Sequence, residues 1–255
     1  MKSLFLATAA AAAFVAAPAL AQDGIGSIGV VYSNSDLDVA GLEAEAENAT
    51  IDAAVAIPVT ADWTVTLDGG FAHSFDDFAD SNTNISGRVH ATTLVGGVRV
   101  GGFAGASEVY GEQLWSVGAE AQTYLDKVTL TGSVAYETLD GVEADIWTVA
   151  GDASYFINPN FRINGGAGWT TVDAGGLDVD GWQANVGGEY RIPGTGMGVV
   201  AGFTHAELED VDVSMDTISV GLRFSFGGNL QSRERAGADL GRTAAGVGGM
   251  AGALL

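Results

Sequence analysis

Residues Val149–Trp169 read VAGDASYFINPNFRINGGAGW, two short ladders joined by Asn158-Pro159-Asn160. Before that turn, Trp147, Val149, Ala153 and Tyr155 alternate with Thr148, Asp152 and Ser154. After it, Phe161, Ile163, Ala167 and Trp169 alternate with Arg162, Asn164, Gly166 and Gly168. Period two is the signature of a β-strand with one apolar and one polar face. The same beat occupies 115–125, 128–137, 182–191 and 217–226. Tight turns at Pro58–Asp62, Leu125–Lys127, Asn158–Asn160 and Pro193–Gly196 alternate with looser acidic stretches.

A soluble sandwich would share this period, so the composition of the faces has to discriminate. The polar face carries Gly, Ser, Thr and amides, as an enclosed lumen would, rather than the Lys and Glu of a solvated exterior. Trp63, Tyr136, Trp147, Tyr155, Phe161, Trp169, Trp182 and Tyr190 cluster near segment ends, as two interfacial girdles require. The final ladder sets Ile218, Val220, Leu222, Phe224 and Phe226 against Thr217, Ser219, Gly221, Arg223 and Ser225. The expectation is an all-β fold: a transmembrane, antiparallel, up-and-down β-barrel.

The N-terminus sets the compartment. Lys2, an apolar run over 4–17 and Ala19-Leu20-Ala21 form a secretory leader, with cleavage expected before Gln22. That run falls short of the ~20 residues a membrane helix needs. The export route and the barrel pattern together imply the bacterial outer membrane. The formal net charge of −22 becomes one unit more negative once Lys2 leaves. Nucleic acid is therefore excluded as a partner, because it demands basic surface. With no cysteine, hydrogen-bonded regularity must hold the fold.

The strand count rests on parity. A first strand near 25–33, a loop over 34–48 in which Leu42–Asn48 could make a turn or two of helix, and hairpins over 50–73, 114–138, 146–171 and 182–206 lead to a last strand at 216–226. These make ten. The stretch 88–107, blurred by Gly96-Gly97 and Gly101-Gly102, adds two more if it turns near Gly96–Val98. Twelve then places every tight turn on one side, and bacterial barrels have even counts with short turns in the periplasm. The expectation is twelve, with ten as the fallback.

The hairpin Val149–Trp169, the segment Trp63–His73 (WTVTLDGGFAH) and the ending ISVGLRFSF resemble alphaproteobacterial porin-like outer-membrane barrels. The resemblance covers the leader (1–21) and a barrel over 22–226, and implies location and fold rather than chemistry. Such barrels usually end at a terminal aromatic strand. Here residues 227–255 follow, Gly/Ala-rich but carrying Arg233, Arg235 and Arg242. A flexible periplasmic tail is the first expectation, and a lumenal plug drawn in by acidic side chains the second.

Carboxylates crowd the looser connections: Asp36, Asp38, Glu43, Glu45 and Glu47; Asp76, Asp77 and Asp80; Glu108 and Glu112; Asp140, Glu143 and Asp145; Asp173, Asp178 and Asp180; Glu207, Glu209, Asp210 and Asp212. An acidic outer mouth favours cations. It could also bridge through divalent cations to the phosphates of lipid and lipopolysaccharide. On the lumen face, Arg99, Arg162, Arg191 and Arg223 lie near the tight turns, with Asp68, Glu120, Asp152 and Glu189 placed further up. Glu137 shares that face. These groups either line a constriction or pair into a network that closes the barrel. Inward Gly118, Ser133, Gly166, Gly168, Gly187 and Gly202 argue for leftover space, so a pore is preferred.

Of the three histidines, His73 shares parity with Leu67 and Phe71 and points to lipid, His90 points inward, and His205 lies near an outer end. No G-x-S-x-G, H-E-x-x-H or P-loop motif is present, so neither an enzyme nor a cofactor is expected. The expected function is passive diffusion of small hydrophilic solutes. The alternative is a non-conducting structural or surface-interaction barrel whose acidic loops bind divalent cations. Oligomeric state is left open.

Overall fold

The computed structural model describes residues 24–75, 83–109, 112–139, 144–209 and 211–243. The leader, the end of the tail (244–255) and the carboxylates at 76, 77, 80, 140, 143 and 210 lie outside these. Twelve strands follow in order: β1 (Ile25–Val39), β2 (Leu42–Pro58), β3 (Trp63–Ser74), β4 (Thr83–Val95), β5 (Val98–Val109), β6 (Glu112–Tyr124), β7 (Val128–Leu139), β8 (Ala144–Asn158), β9 (Phe161–Ala174), β10 (Leu177–Arg191), β11 (Met197–Leu208) and β12 (Val213–Phe226). A short helix, α1 (Leu230–Arg235), comes after them, and residues 240–243 are helical where the described part ends. Each strand pairs antiparallel with its chain neighbour, and β12 closes on β1 from Gly26↔Phe226 to Val39↔Val213. Only an even count lets an up-and-down meander close antiparallel, so no edge remains unpaired. Among the described residues no helix is long and apolar enough to cross a membrane.

The blurred stretch 88–107 is the hairpin β4–β5. Gly96 and Gly97 take φ of 60° and 84°, the two positive values that a tight two-residue turn demands and glycine supplies without strain. The twelve-strand count follows.

Side-chain orientation obeys the ladder. Val30, Val117, Val149, Val186, Ile218 and Leu222 are all exposed, on the outer wall. On β10, Trp182 and Tyr190 flank Val186 eight residues apart. At ~3.3 Å per residue and a tilt near 40°, that spans ~20 Å, close to the ~25 Å apolar band of outer-membrane barrels. Inside, Thr66, His90, Thr92, Gln122, Thr129, Thr148, Ser154 and Arg162 are buried.

Three expectations need correction. The segment 34–48 is not a loop, nor is Leu42–Asn48 helical. β1 and β2 run on to a turn at Ala40-Gly41, pairing Asp36↔Glu45 and Asp38↔Glu43. Ladder hydrogen bonds already formed lower down outweigh the helix preference of Ala and Glu. The lumen is also not uniformly polar. Leu114, Leu139, Ala144 and Ile146 form an inward apolar cluster away from the tight turns, and Phe103 packs with Ala135 and Ala150 below it. Nor is Gly118 empty space. A Cβ there would strike the Phe103 ring, so this glycine makes room for an aromatic.

Candidate functional site

The lumen is where the charged residues converge, and the tail joins them there. After β12 the chain reverses at Gly227 (φ 78°), beside Gly24 and Ile25, and turns back into the barrel. Asn229 caps α1, its side-chain oxygen accepting the Ser232 amide at 2.8 Å. Leu230, Arg233, Glu234, Ala238 and Leu240 are all but inaccessible to solvent. The tail over 227–243 is thus an internal plug at the end bearing the tight turns, not a free periplasmic segment.

Bore and plug match in size. Twelve strands spaced ~4.8 Å apart and tilted near 40° give a backbone radius of ~12 Å. Inward side chains leave room for about one α-helix, itself ~10–12 Å across. The helix is fastened to the rim of the tight-turn end. Gln231 Nε2 donates to the Asp126 carbonyl (3.0 Å), the Gln231 amide to the Pro159 carbonyl (3.2 Å), and Arg235 to the carbonyls of Leu125 and Asp126 (both 2.6 Å).

Its charges meet those of the wall. Arg233 forks onto Glu189 at 2.8 and 2.7 Å and onto Asp239 at 3.0 Å, and donates to Ser225 Oγ at 2.6 Å. Arg162 bonds Glu189 at 3.0 Å, Asp239 at 2.6 Å and Glu234. Arg223 holds Asp52 at 2.7 Å and stands 3.6 Å from Glu189. Arg242 grips both oxygens of Asp152 at 2.8 Å. Forked guanidinium–carboxylate pairs of this kind are the strong, directional ones. Burial by itself pushes the Asp239 carboxyl up, but Arg233, Arg162 and Arg242 outweigh it and hold it well below the usual carboxylate range.

A second cluster lies beside the plug. His90 Nε2 is 2.6 Å from Asp68, and Nδ1 is 2.9 Å from Glu120. An imidazole facing a carboxylate at each nitrogen is satisfied when both nitrogens donate. Arg88 approaches Asp68 at 3.5 Å, and the Phe103 ring lies 5.4 Å from that of His90. The plug touches this wall through Thr66, which donates to the Gly237 carbonyl (3.1 Å), and through Arg99, which donates to the Arg235 carbonyl (2.9 Å) as well as to Tyr124 and Thr92.

Above the plug, on the β8–β12 side, remains a cavity of 280 Å³. Asn164, Gln183, Asn185, Thr204, Ser219 and the Asp152–Arg242 pair furnish its polar lining. Gly187 and Gly202 line it too, which is the space their lack of side chains implied.

Every candidate is placed. Asp68, Arg99, Glu120, Asp152, Arg162, Glu189 and Arg223 face inward. Asp152, Arg162, Glu189 and Arg223 border the cavity, whereas Asp68, Arg99 and Glu120 lie among wall, His90 and plug. Arg191 sits at the tight-turn end against Asn160 (3.3 Å). Glu189 does not lie further up the wall than Arg162; the two are directly paired across β9 and β10. Sequence reasoning named Arg233, Arg235 and Arg242 and gave the plug as its second expectation, but missed Glu234 and Asp239. The signal was there: a helix cap and a run of both charge signs within an otherwise Gly/Ala tail.

The acidic rim also differs from expectation. Asp36, Asp38, Glu43, Glu45, Glu47, Glu108, Asp145, Asp173, Asp178, Asp180 and Glu207 lie on strands, not in loops. Their parity matches that of the lipid-facing residues, so they form an outward collar around the mouth rather than a ring inside it. Asp216 belongs to this collar, paired with the His205 ring at 2.7 Å. Among the described residues no three carboxylate or imidazole groups converge to hold a metal ion. His73 faces outward against Phe75, and His90 is buried between carboxylates.

A closed, even-stranded barrel with an apolar outer wall and a polar interior is the architecture of an outer-membrane β-barrel. Solved structures agree. The chain is similar to an outer membrane channel from Pseudomonas putida F1, with TM-score 0.57 and 10% identity over 79% of this chain and 96% of that one. It is also similar to the NanC porin (TM-score 0.54, 8% identity, 76% and 98%) and the CymD monoaromatic hydrocarbon channel (TM-score 0.52, 11% identity, 80% and 88%). At these identities the likeness establishes the fold alone. No family model and no curated protein matches the chain.

Proposed function

We propose that this barrel is a narrow channel in the bacterial outer membrane, in kinship with alphaproteobacterial porin-like proteins, that admits small hydrophilic solutes by passive diffusion. The observation carrying this is the 280 Å³ cavity, lined by amides, hydroxyls and opposed charges alongside Val31, Ala150 and Val200, and opened by inward glycines. Such a lining hydrates a solute without holding it tightly, which diffusion requires. The neighbours bearing the names porin and channel lend further support.

The mouth favours cations, but through a field rather than a ring of ligands. The collar carboxylates stand outside the wall, more than a strand's thickness from the axis. A Debye length of ~8 Å at 0.15 M and ~30 Å at 0.01 M makes their pull weak at physiological salt and strong in dilute salt. Planar-bilayer recording in a potassium chloride gradient tests both statements. Discrete steps with a cation-positive reversal potential that shrinks as salt rises are expected, and charge reversal at Arg191 should shift that potential. Folded protein that stays silent, whatever its tail, removes the channel assignment.

One observation favours a second role. The outward collar of carboxylates supports the alternative of a non-conducting barrel tied to lipid and lipopolysaccharide phosphates by divalent cations. Chelation that dissociates the protein from lipopolysaccharide, together with electrical silence, would select it.

A further inference from the structure

Resting on the channel assignment above, we propose that the C-terminal segment 227–243 is a reversible gate, which shuts the tight-turn end when docked and opens it by swinging out on Gly227-Gly228. Three observations carry this beyond simple filling of the barrel.

First, the segment lies across the bore near the tight-turn end, fastened to the β6–β7 and β8–β9 turns at one end and to Asp152 at the other. Second, what fastens it is mostly polar. Its buried apolar groups are few, Leu230, Ala238 and Leu240, while Arg233, Glu234, Arg235, Asp239 and Arg242 make directional bonds to the wall or to one another. Water entering an opened lumen can replace every one of those bonds.

Third, the wall keeps internal partners when the segment leaves. Glu189 retains Arg162 and Arg223, Arg99 retains Tyr124 and Thr92, and Asp68 retains His90. The segment takes out three cations (Arg233, Arg235, Arg242) and two anions (Glu234, Asp239), so its departure changes the charge of the bore by one unit, and the one wall carboxylate that gives up its cation, Asp152, borders the water-accessible cavity and keeps Ser154. Both states are therefore electrostatically tolerable, the requirement for a two-state element. Attachment through Gly227 keeps the free segment at a high effective concentration near its seat, so redocking is fast.

The chain lacks cysteine, which permits a clean covalent test. A Cβ on Gly241 would fall 2.6 Å from Asp68 Cγ, hence within about 4.2 Å of its Cβ, inside the range of a disulfide. The full-length D68C/G241C protein should form that bond when folded in detergent. In planar bilayers, openings should vanish on oxidation and return on reduction, with each single variant indifferent to oxidant. Full-length Arg233→Ala, which breaks the pairs to both Glu189 and Asp239, should raise the open fraction by about a hundredfold or more.

Failure of the bond to form in folded protein overturns the docked geometry. Openings that persist unchanged in the cross-linked protein overturn the gate and leave the channel standing. Silence in wild type, reduced D68C/G241C and Arg233→Ala alike, with heat-shifted gel mobility showing folded barrels, overturns the channel and the gate with it.

Discussion

Replacing Arg162 by alanine should unfasten the tail while leaving the barrel intact. Arg162 is 2% exposed and serves Glu189, Asp239 and Glu234 together. Its loss leaves Glu189 and Asp239 on Arg233, with Arg223 3.6 Å from Glu189, and leaves Glu234 with only Arg242 at 3.7 Å. Removing one partner of a buried charge cluster costs about 3–5 kcal/mol. The wall loses its own Arg162–Glu189 pair in both the docked and the undocked state, but β9 and β10 stay joined by their backbone ladder, and the bonds to Asp239 and Glu234 are lost only from the docked one. The penalty therefore falls on docking. Hydrogen exchange reads it through the amides of Arg233, Ala236 and Gly237, which donate to the carbonyls of Asn229, Ser232 and Glu234. If exchange proceeds by local undocking, their rates should rise by roughly two to three and a half decades at ~1.4 kcal/mol per decade. Arg99→Ala is the comparison. It removes one bond to the neutral Arg235 carbonyl, worth about 1.5 kcal/mol, and should raise exchange about tenfold. Equal exchange in the two variants, in folded barrels, would refute the view that the charge cluster holds the plug.

Three other outcomes are expected. Asp239 has a docked pKa below its ordinary value, so its contribution is complete above about pH 4 and is lost as pH falls through the docked value; the protection of α1 amides, relative to their intrinsic exchange at each pH, should be level between pH 7 and 5 and fall only in strong acid, and loss of protection between 7 and 5 would contradict this. Gly227→Val places a branched side chain at φ 78° against Gly24 and Ile25, costing about 1–2 kcal/mol from backbone strain alone; protection of α1 should fall while the heat-shifted gel mobility of the barrel is kept. Val186→Arg puts a charge on the outer wall midway between Trp182 and Tyr190 and should destabilise folding into vesicles by about 2–4 kcal/mol, measured by urea titration; no change would mean that face does not meet lipid.

Some of the site could be read without coordinates and some could not. Parity alone put Arg99, Arg162, Glu189 and Arg223 inside, because side chains alternate along a strand whatever surrounds it. Parity also turned Gly96-Gly97 into a hairpin. It could not say that Gly118 yields to Phe103, since that contact joins β5 and β6 through a ring whose tilt depends on packing. The acidic connections misled for a related reason. Glu43, Glu45 and Glu47 are poor strand formers, and only the ladder with β1 keeps them extended. The same parity rule, once those strands are lengthened, turns their carboxylates outward.

The chain's own pattern established a barrel, its even strand count, and which face meets hydrocarbon. Those properties follow from a two-residue period and turn chemistry, which are local. Where the tail goes is not local. A six-residue helix has no stability by itself, and Arg233 finds Glu189, Asp239 and Ser225 only after strands distant in sequence have closed around one axis. The lumen's charges were written residue by residue, but their partner was chosen by the closed cylinder, because only an enclosed, water-poor space makes those pairings strong enough to hold a short segment in place.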